Sequence, residues 1–225
     1  MTDNTHNSVN PILAPTPEPA ADLTRIEALT VHRRTVRTKH RHLRDLRRAQ
    51  AAVEALDGLD KETEIFGFTK GQFSIIDILS DCLRRIGPAD LFISTWTAAN
   101  TDVTTVLEFV NTGLIRRARW LVDLTFQRRS PQLAQRIRQV FGPEAIRVAR
   151  NHAKFAMLTN AEWKLVLRTS MNLNFNPRFE DFTLANDPDL ADFLTTIIDE
   201  IWTKQHRSLA DARPYDIHKH FAADL

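Results

Sequence analysis

Nowhere does the chain hold the roughly 18 consecutive apolar residues that a membrane-spanning helix needs, so stable membrane insertion is not expected. The N-terminus, MTDNTHNSVN, has no basic stretch leading into an apolar one, which argues against a secretory signal and makes a cytoplasmic location the expectation. There is one cysteine, so no disulfide can form within the chain. That residue, Cys82, lies among Ile75, Ile76, Leu79, Leu83 and Ile86 at helical spacing, the position of a core side chain rather than a nucleophile. From Asp22 to Leu56 neither Gly nor Pro occurs.

What is present is a globular balance of 43% hydrophobic and 26% charged residues over 225 positions, enough for one sizeable core and an appendage. Its net charge of +2 hides an asymmetry. Between Val31 and Gln50, Arg33, Arg34, Arg37, Lys39, Arg41, Arg44, Arg47 and Arg48 face a single Asp, giving +7 and leaving −5 for the rest of the chain. A block of this density suits a phosphate-rich partner, and with no base-reading motif its binding would be electrostatic and salt-sensitive. A solvated or subunit-packing helix face is the alternative. Arg116, Arg117 and Arg119, with Arg128 and Arg129, either extend such a track or are ordinary surface charge.

Residues 1–22, with Pro11, Pro15, Pro17 and Pro19, read as a disordered leader. Residues 23–58 read as a basic helical extension carrying a sparse apolar stripe and ended by Asp57-Gly58. Residues 59–205 alternate strands and helices with short connections, the pattern of a layered α/β domain. Strands are expected at Glu64–Phe68, Leu91–Thr97, 117–126 and 145–150. Ser74 with Asp77 signals a helix start and Gly87-Pro88 its end. A helix follows from about Thr101 to Gly113, and Ser130-Pro131 opens another that stops at Gly142-Pro143. Asp187-Pro188 starts a last helix whose apolar residues, from Leu190 to Trp202, form one broad stripe. Residues 206–225 are a tail. Its His218 and His220 lack a third ligand nearby, so no metal site and no cofactor are expected.

The chemistry concentrates in 151–172, NHAKFAMLTNAEWKLVLRTSMN, an apolar hairpin with a polar pair at each end. Residues i and i+2 of a strand share a face, so His152 goes with Lys154 and Ser170 with Asn172. A two-residue loop at Asn160-Ala161 would set His152 against Thr169. A three-residue loop or a bulge would bring it level with Ser170, so convergence of all four requires odd register. Converged, an imidazole could attack phosphorus while an ammonium, a hydroxyl and an amide steady the phosphoryl oxygens without a metal. Glu180 is the carboxylate candidate for orienting the histidine.

His152-Ala-Lys154, Ser170-Met-Asn172 and the trailing Glu180 resemble the His-x-Lys motif of the phospholipase D superfamily, in particular its bacterial nuclease branch. The resemblance runs over about residues 63–203. It implies an α/β/α sandwich with a mixed sheet, here preceded by the basic N-terminal helix. It also implies a phosphodiesterase in which one histidine is phosphorylated and a second protonates the leaving group. The chain has one His-x-Lys, so the second would come from a symmetric homodimer. Three departures stand out: Thr159 where the family has an aspartate, Thr169 where it has glycine, and a longer lysine-to-serine interval. The expected substrate is nucleic acid, cleaved as an endonuclease. A non-hydrolysing nucleic-acid-binding protein and a phospholipid headgroup hydrolase are the alternatives. Thr69 and Lys70 form either a polar lip or a plain strand–helix loop, Trp96 either a stacking surface or a core residue, and Asn174 and Asn176 either pocket lining or a turn. Trp120, Trp163 and Trp202 are assigned to packing.

Overall fold

The computed structural model describes residues 40–44, 51–174 and 177–204. The leader, most of the basic extension (Arg33, Arg34, Arg37, Lys39, Arg47 and Arg48 included), Asn176 and the tail with His218 and His220 lie outside them.

The elements run β1 (His40–Arg44), α1 (Ala52–Ala55), β2 (Thr63–Thr69), α2 (Ile75–Ile86), β3 (Ala89–Thr95), α3 (Asn100–Asn111) and β4 (Ile115–Asp123). Then come α4 (Phe126–Arg129), α5 (Pro131–Phe141), a 3-10 turn at Pro143–Ala145, β5 (Ile146–Ala149), β6 (Phe155–Thr159), β7 (Lys164–Thr169), β8 (Glu180–Asn186) and α6 (Pro188–Lys204). One eight-stranded mixed sheet has the order β1-β2-β8-β7-β6-β3-β4-β5. Pairs β1–β2, β3–β4 and β4–β5 are parallel, and β2–β8, β8–β7, β7–β6 and β6–β3 antiparallel.

Period-two alternation divides the strands between two cores. Leu91, Ile93, Trp120, Val122, Leu158, Leu167 and Leu184 meet α1 to α5 on one face. Phe92, Leu121, Met157 and Val166 meet Ala191, Ile198 and Ile201 of α6 on the other. The result is an α/β/α sandwich, and burial on both faces explains the nearly uncharged run of β3. Cys82 is fully buried, and burial pushes its thiol up to about 12. Trp120 is fully buried, while Trp163 and Trp202 pack partly buried against the two cores.

Helix ends follow the local chemistry. Ser74 and Asp77 form a reciprocal capping box, with Ser74 N–H donating to Asp77 Oδ2 at 2.7 Å and Asp77 N–H to Ser74 Oγ at 3.4 Å. Gly87 (φ 74°) and Gly142 (φ 88°) end α2 and α5 at a conformation that side chains resist, each N–H closing onto the last turn. Asp187 Oδ1 accepts the Leu190 N–H at 3.2 Å, and Pro188 takes the first helical position of α6. Thr69 and Gln72 close an ordinary strand–helix turn before α2, with Thr69 Oγ1 donating to Gln72 Oε1 at 2.9 Å.

Two sequence expectations are corrected. The extension does not run as one helix: residues 40–44 are a strand, and the only helix described there is Ala52–Ala55. The cause is tertiary, since β2 leaves a row of backbone groups unpaired at the sheet edge and β1 pairs with them from His40↔Thr63 to Arg44↔Gly67. Arg41 and Arg44 are therefore strand positions. The second correction is the hairpin turn, neither two nor three residues but four, pairing Thr159 with Lys164. Asn160 builds it: its Oδ1 accepts the N–H groups of Glu162 and Trp163, both at 2.9 Å, while its Nδ2 donates to Ile86 O at 3.0 Å.

Candidate active site

An even turn means that regular alternation would put Lys154 opposite Thr169 and on the other face from Ser170; the Thr169 N–H indeed donates to Lys154 O at 3.2 Å. The polar pairs, however, lie beyond the regular ladder, which begins at Phe155 and ends at Thr169. There the alternation rule no longer binds the side chains. Lys154 and Ser170 both line one open depression of about 470 Å³, with Phe155, Arg168, Asp181 and Leu194.

His152 is exposed and Lys154 half-buried. The ammonium lies against the imidazole, Nζ being 3.4 Å from Nε2 and 3.5 Å from Nδ1, and it donates to His152 O at 3.0 Å. Nearly equal distances to both ring nitrogens place the charge beside the ring rather than on one lone pair. Burial holds the Lys154 ammonium below the usual lysine range, with the Glu180 carboxylate pulling the other way. Glu180 in turn accepts a short hydrogen bond from Ser170 Oγ, which itself accepts the Asp181 N–H at 3.0 Å. Glu180 thus engages serine and lysine, and among the described residues it makes no bond to His152. Asn172 is tied in less closely. Among the described residues its Oδ1 is buried without a partner, as is that of Asn174 nearby in the chain. Each such orphan costs about 1–3 kcal/mol until something donates to it.

The segment carrying His152 is rigidly framed by residues the sequence did not single out. Asn151, 7% exposed, donates from Nδ2 to Ser94 Oγ at 3.0 Å and to Leu121 O at 3.3 Å, and its Oδ1 accepts the Ala153 N–H at 3.0 Å. Ser94 Oγ donates to Ala153 O at 2.8 Å, and Asp123 Oδ2 accepts the Asn151 N–H at 3.2 Å. Backbone on both sides of His152 is therefore pinned to the ends of β3 and β4. On the far side, Leu173 N–H reaches Thr95 Oγ1 at 3.2 Å and Leu173 O accepts from Ala99 N–H at 2.7 Å, holding the Ser170–Asn174 loop to the same strand end. The one available signal was buried polarity, Ser94-Thr95 and Asp123 each closing an apolar strand.

Trp96 stands beside His152, ring centroids 6.2 Å apart at 64°, and Arg129 lies over its indole at 3.7 Å. Of the other arginines flanking β4, Arg116 and Arg117 pair with Asp90, and Arg119 pairs with Asp199 at 2.7 Å. Among the described residues no group of three His, Cys, Asp or Glu side chains could hold a metal ion, and no helix is long and apolar enough to cross a membrane.

No family model and no curated protein matches this chain. Among solved structures it is similar to a polyphosphate kinase from Porphyromonas gingivalis, at 14% identity and a TM-score of 0.49. The match covers 68% of this chain and 29% of that one, so the chain spans well under half of that protein's length.

Proposed function

We propose that the chain is a phospholipase D-like phosphodiesterase that cleaves nucleic acid without a metal, through a phosphohistidine. The observation that carries this reading is the contact of His152 with Lys154 at the exposed start of β6, beside a depression shared by Lys154 and Ser170. A neutral imidazole nitrogen forms the N–P bond as the P–O bond to the leaving group breaks. The departing oxygen takes its proton from His152 of a second copy of the chain, which then accepts a proton from the water that cleaves the N–P bond. Lys154 offsets charge on the phosphoryl oxygens, and the Asn172 amide adds a hydrogen bond. Ser170 joins only when its hydroxyl turns from Glu180 to the phosphate. Glu180 thus acts as the holder of Ser170 and a partner of Lys154.

Hydrolysis of DNA, RNA and phospholipid vesicles in excess EDTA tests the proposal. His152→Ala is expected to lower kcat/KM on nucleic acid by about 10²–10⁴-fold or more, the range of a lost acid–base group. A wild-type chain that cleaves none of the three, or an alanine variant as active as wild type, ends this reading. A chain that binds nucleic acid without cleaving it is the second reading. It is favoured by Thr159 in the aspartate position and by the commitment of the Ser170 proton to Glu180.

A further inference from the structure

Arg129 is exposed, yet three contacts hold its guanidinium. Nε donates to Thr125 Oγ1 at 3.1 Å, Nη2 donates to Trp96 O at 2.8 Å, and the plane lies 3.7 Å over the Trp96 ring. Fixing so long a side chain costs rotamer freedom that a charge merely solvated at the surface would keep. All three contacts are with neutral groups. The nearest acid in this network is one step removed, since the Thr125 hydroxyl that accepts from Arg129 donates to Asp123. Among the described residues two of the five guanidinium N–H groups are used and three remain. Among the described residues Arg129 has no carboxylate partner, unlike Arg85, Arg116, Arg117, Arg119 and Arg147.

The other neighbour of the Trp96 ring is His152. The contacts run Lys154, His152, Trp96, Arg129, with a cation at each end. Laid end to end, the two centroid distances of 6.2 Å and 3.7 Å put Arg129 within about 10 Å of the imidazole. That reach takes in a phosphate adjoining the one under attack in the same strand, and a phosphate shared with Lys154 would instead show as equal losses on the two substrates in the test below.

Resting on the phosphodiesterase reading above, we propose that Arg129, seated on Trp96, binds a second phosphate of a polynucleotide strand while His152 and Lys154 engage the first. The site then selects a polymer with consecutive phosphates over an isolated phosphodiester. A planar fork of free donors suits a phosphate, and the indole keeps it pointed outward. Trp96 acts as the positioning residue.

The test pairs binding with turnover. Anisotropy of a fluorescein-labelled oligothymidylate, titrated with NaCl in EDTA, reads affinity and salt slope. Hydrolysis of bis(p-nitrophenyl) phosphate reads the single-phosphate reaction. Arg129→Ala is expected to weaken oligonucleotide binding about tenfold and to flatten the slope of log K against log salt by about 0.7, the contribution of one single-strand phosphate. Its loss of kcat/KM on an oligonucleotide is to exceed its loss on the small diester by a similar factor. Trp96→Leu should reproduce the binding loss, while Arg129→Lys should restore the salt slope but only part of the affinity. Wild-type affinity and slope in Arg129→Ala, or equal losses on both substrates, overturn the proposal. If wild type cleaves neither substrate the phosphodiesterase reading fails, and the binding arm still decides the role of Arg129.

Discussion

Replacing Asn151 by alanine removes three hydrogen bonds at once, to Ser94 Oγ, Leu121 O and the Ala153 N–H. Ser94 Oγ keeps its bond to Ala153 O, so the new orphan is mainly the Ala153 N–H, which is near water. At about 1 kcal/mol net for each bond lost, the expected destabilisation is about 3 kcal/mol. With Tm shifts of about 2–4 °C per kcal/mol in a chain of this size, Tm should fall by about 6–12 °C. Urea titrations of wild type and variant give the free energy directly, and an unchanged m-value would show that the loss lies in the native fold. Because Asn151 braces the backbone on both sides of His152, kcat should fall more than KM rises at temperatures where the variant is still folded. A loss below about 1 kcal/mol, or wild-type kcat in the folded variant, would refute the bracing role.

Two pH dependences follow from burial. The Asp102 carboxyl is pushed up to about 6 by burial, against a bond from the Thr101 hydroxyl and with nearby Asp77 adding to the rise. Its folded-state value lies above the unfolded one, so the folded chain binds the proton more tightly; this contribution is whole below about pH 4 and is lost as pH rises through 6. Asp102→Asn should therefore gain on the order of 1 kcal/mol at pH 7.5, after discounting for partial exposure, and flatten the stability profile between pH 4 and 6. A parallel profile in denaturation at several pH values would contradict this. For activity, the lowered Lys154 value predicts that kcat/KM falls on the alkaline side at a pH below the usual lysine range, and that Lys154→Arg loses that limb. An identical limb in the arginine variant would assign it to another group.

Much of the fold was legible because the strongest signals were local. Ser74 with Asp77, Gly87, Gly142 and the stripe of α6 each carry their own boundary chemistry. Strand β3 announced itself by a nearly uncharged run, the mark of burial on both faces. What escaped was decided at a distance. HRHLR in β1 reads as part of a basic helix until an open sheet edge offers it partners, and EDFTLAN in β8 has no apolar run to mark it. The turn length hinged on the Asn160 amide reaching Ile86 O, 74 positions away. At the site, the two polar pairs were visible as spacing within one hairpin. The frame of Ser94, Asp123 and Asn151 and the seating of Arg129 on Trp96 were not, since they draw on four separate segments that only the sheet order brings together.

That order fixes how far His152 lies from β1 across the sheet. β1, β2, β7 and β3 run in one direction and β6 and β8 in the other, so the start of β6, three residues after His152, and the end of β1 at Arg44 open on the same rim of the sheet. Four inter-strand steps separate them, roughly 19 Å at the usual spacing. Under the proposed nuclease reading, a strand cut at His152 would have to cross β7, β8 and β2, most of the width of the sheet, to reach the backbone of β1.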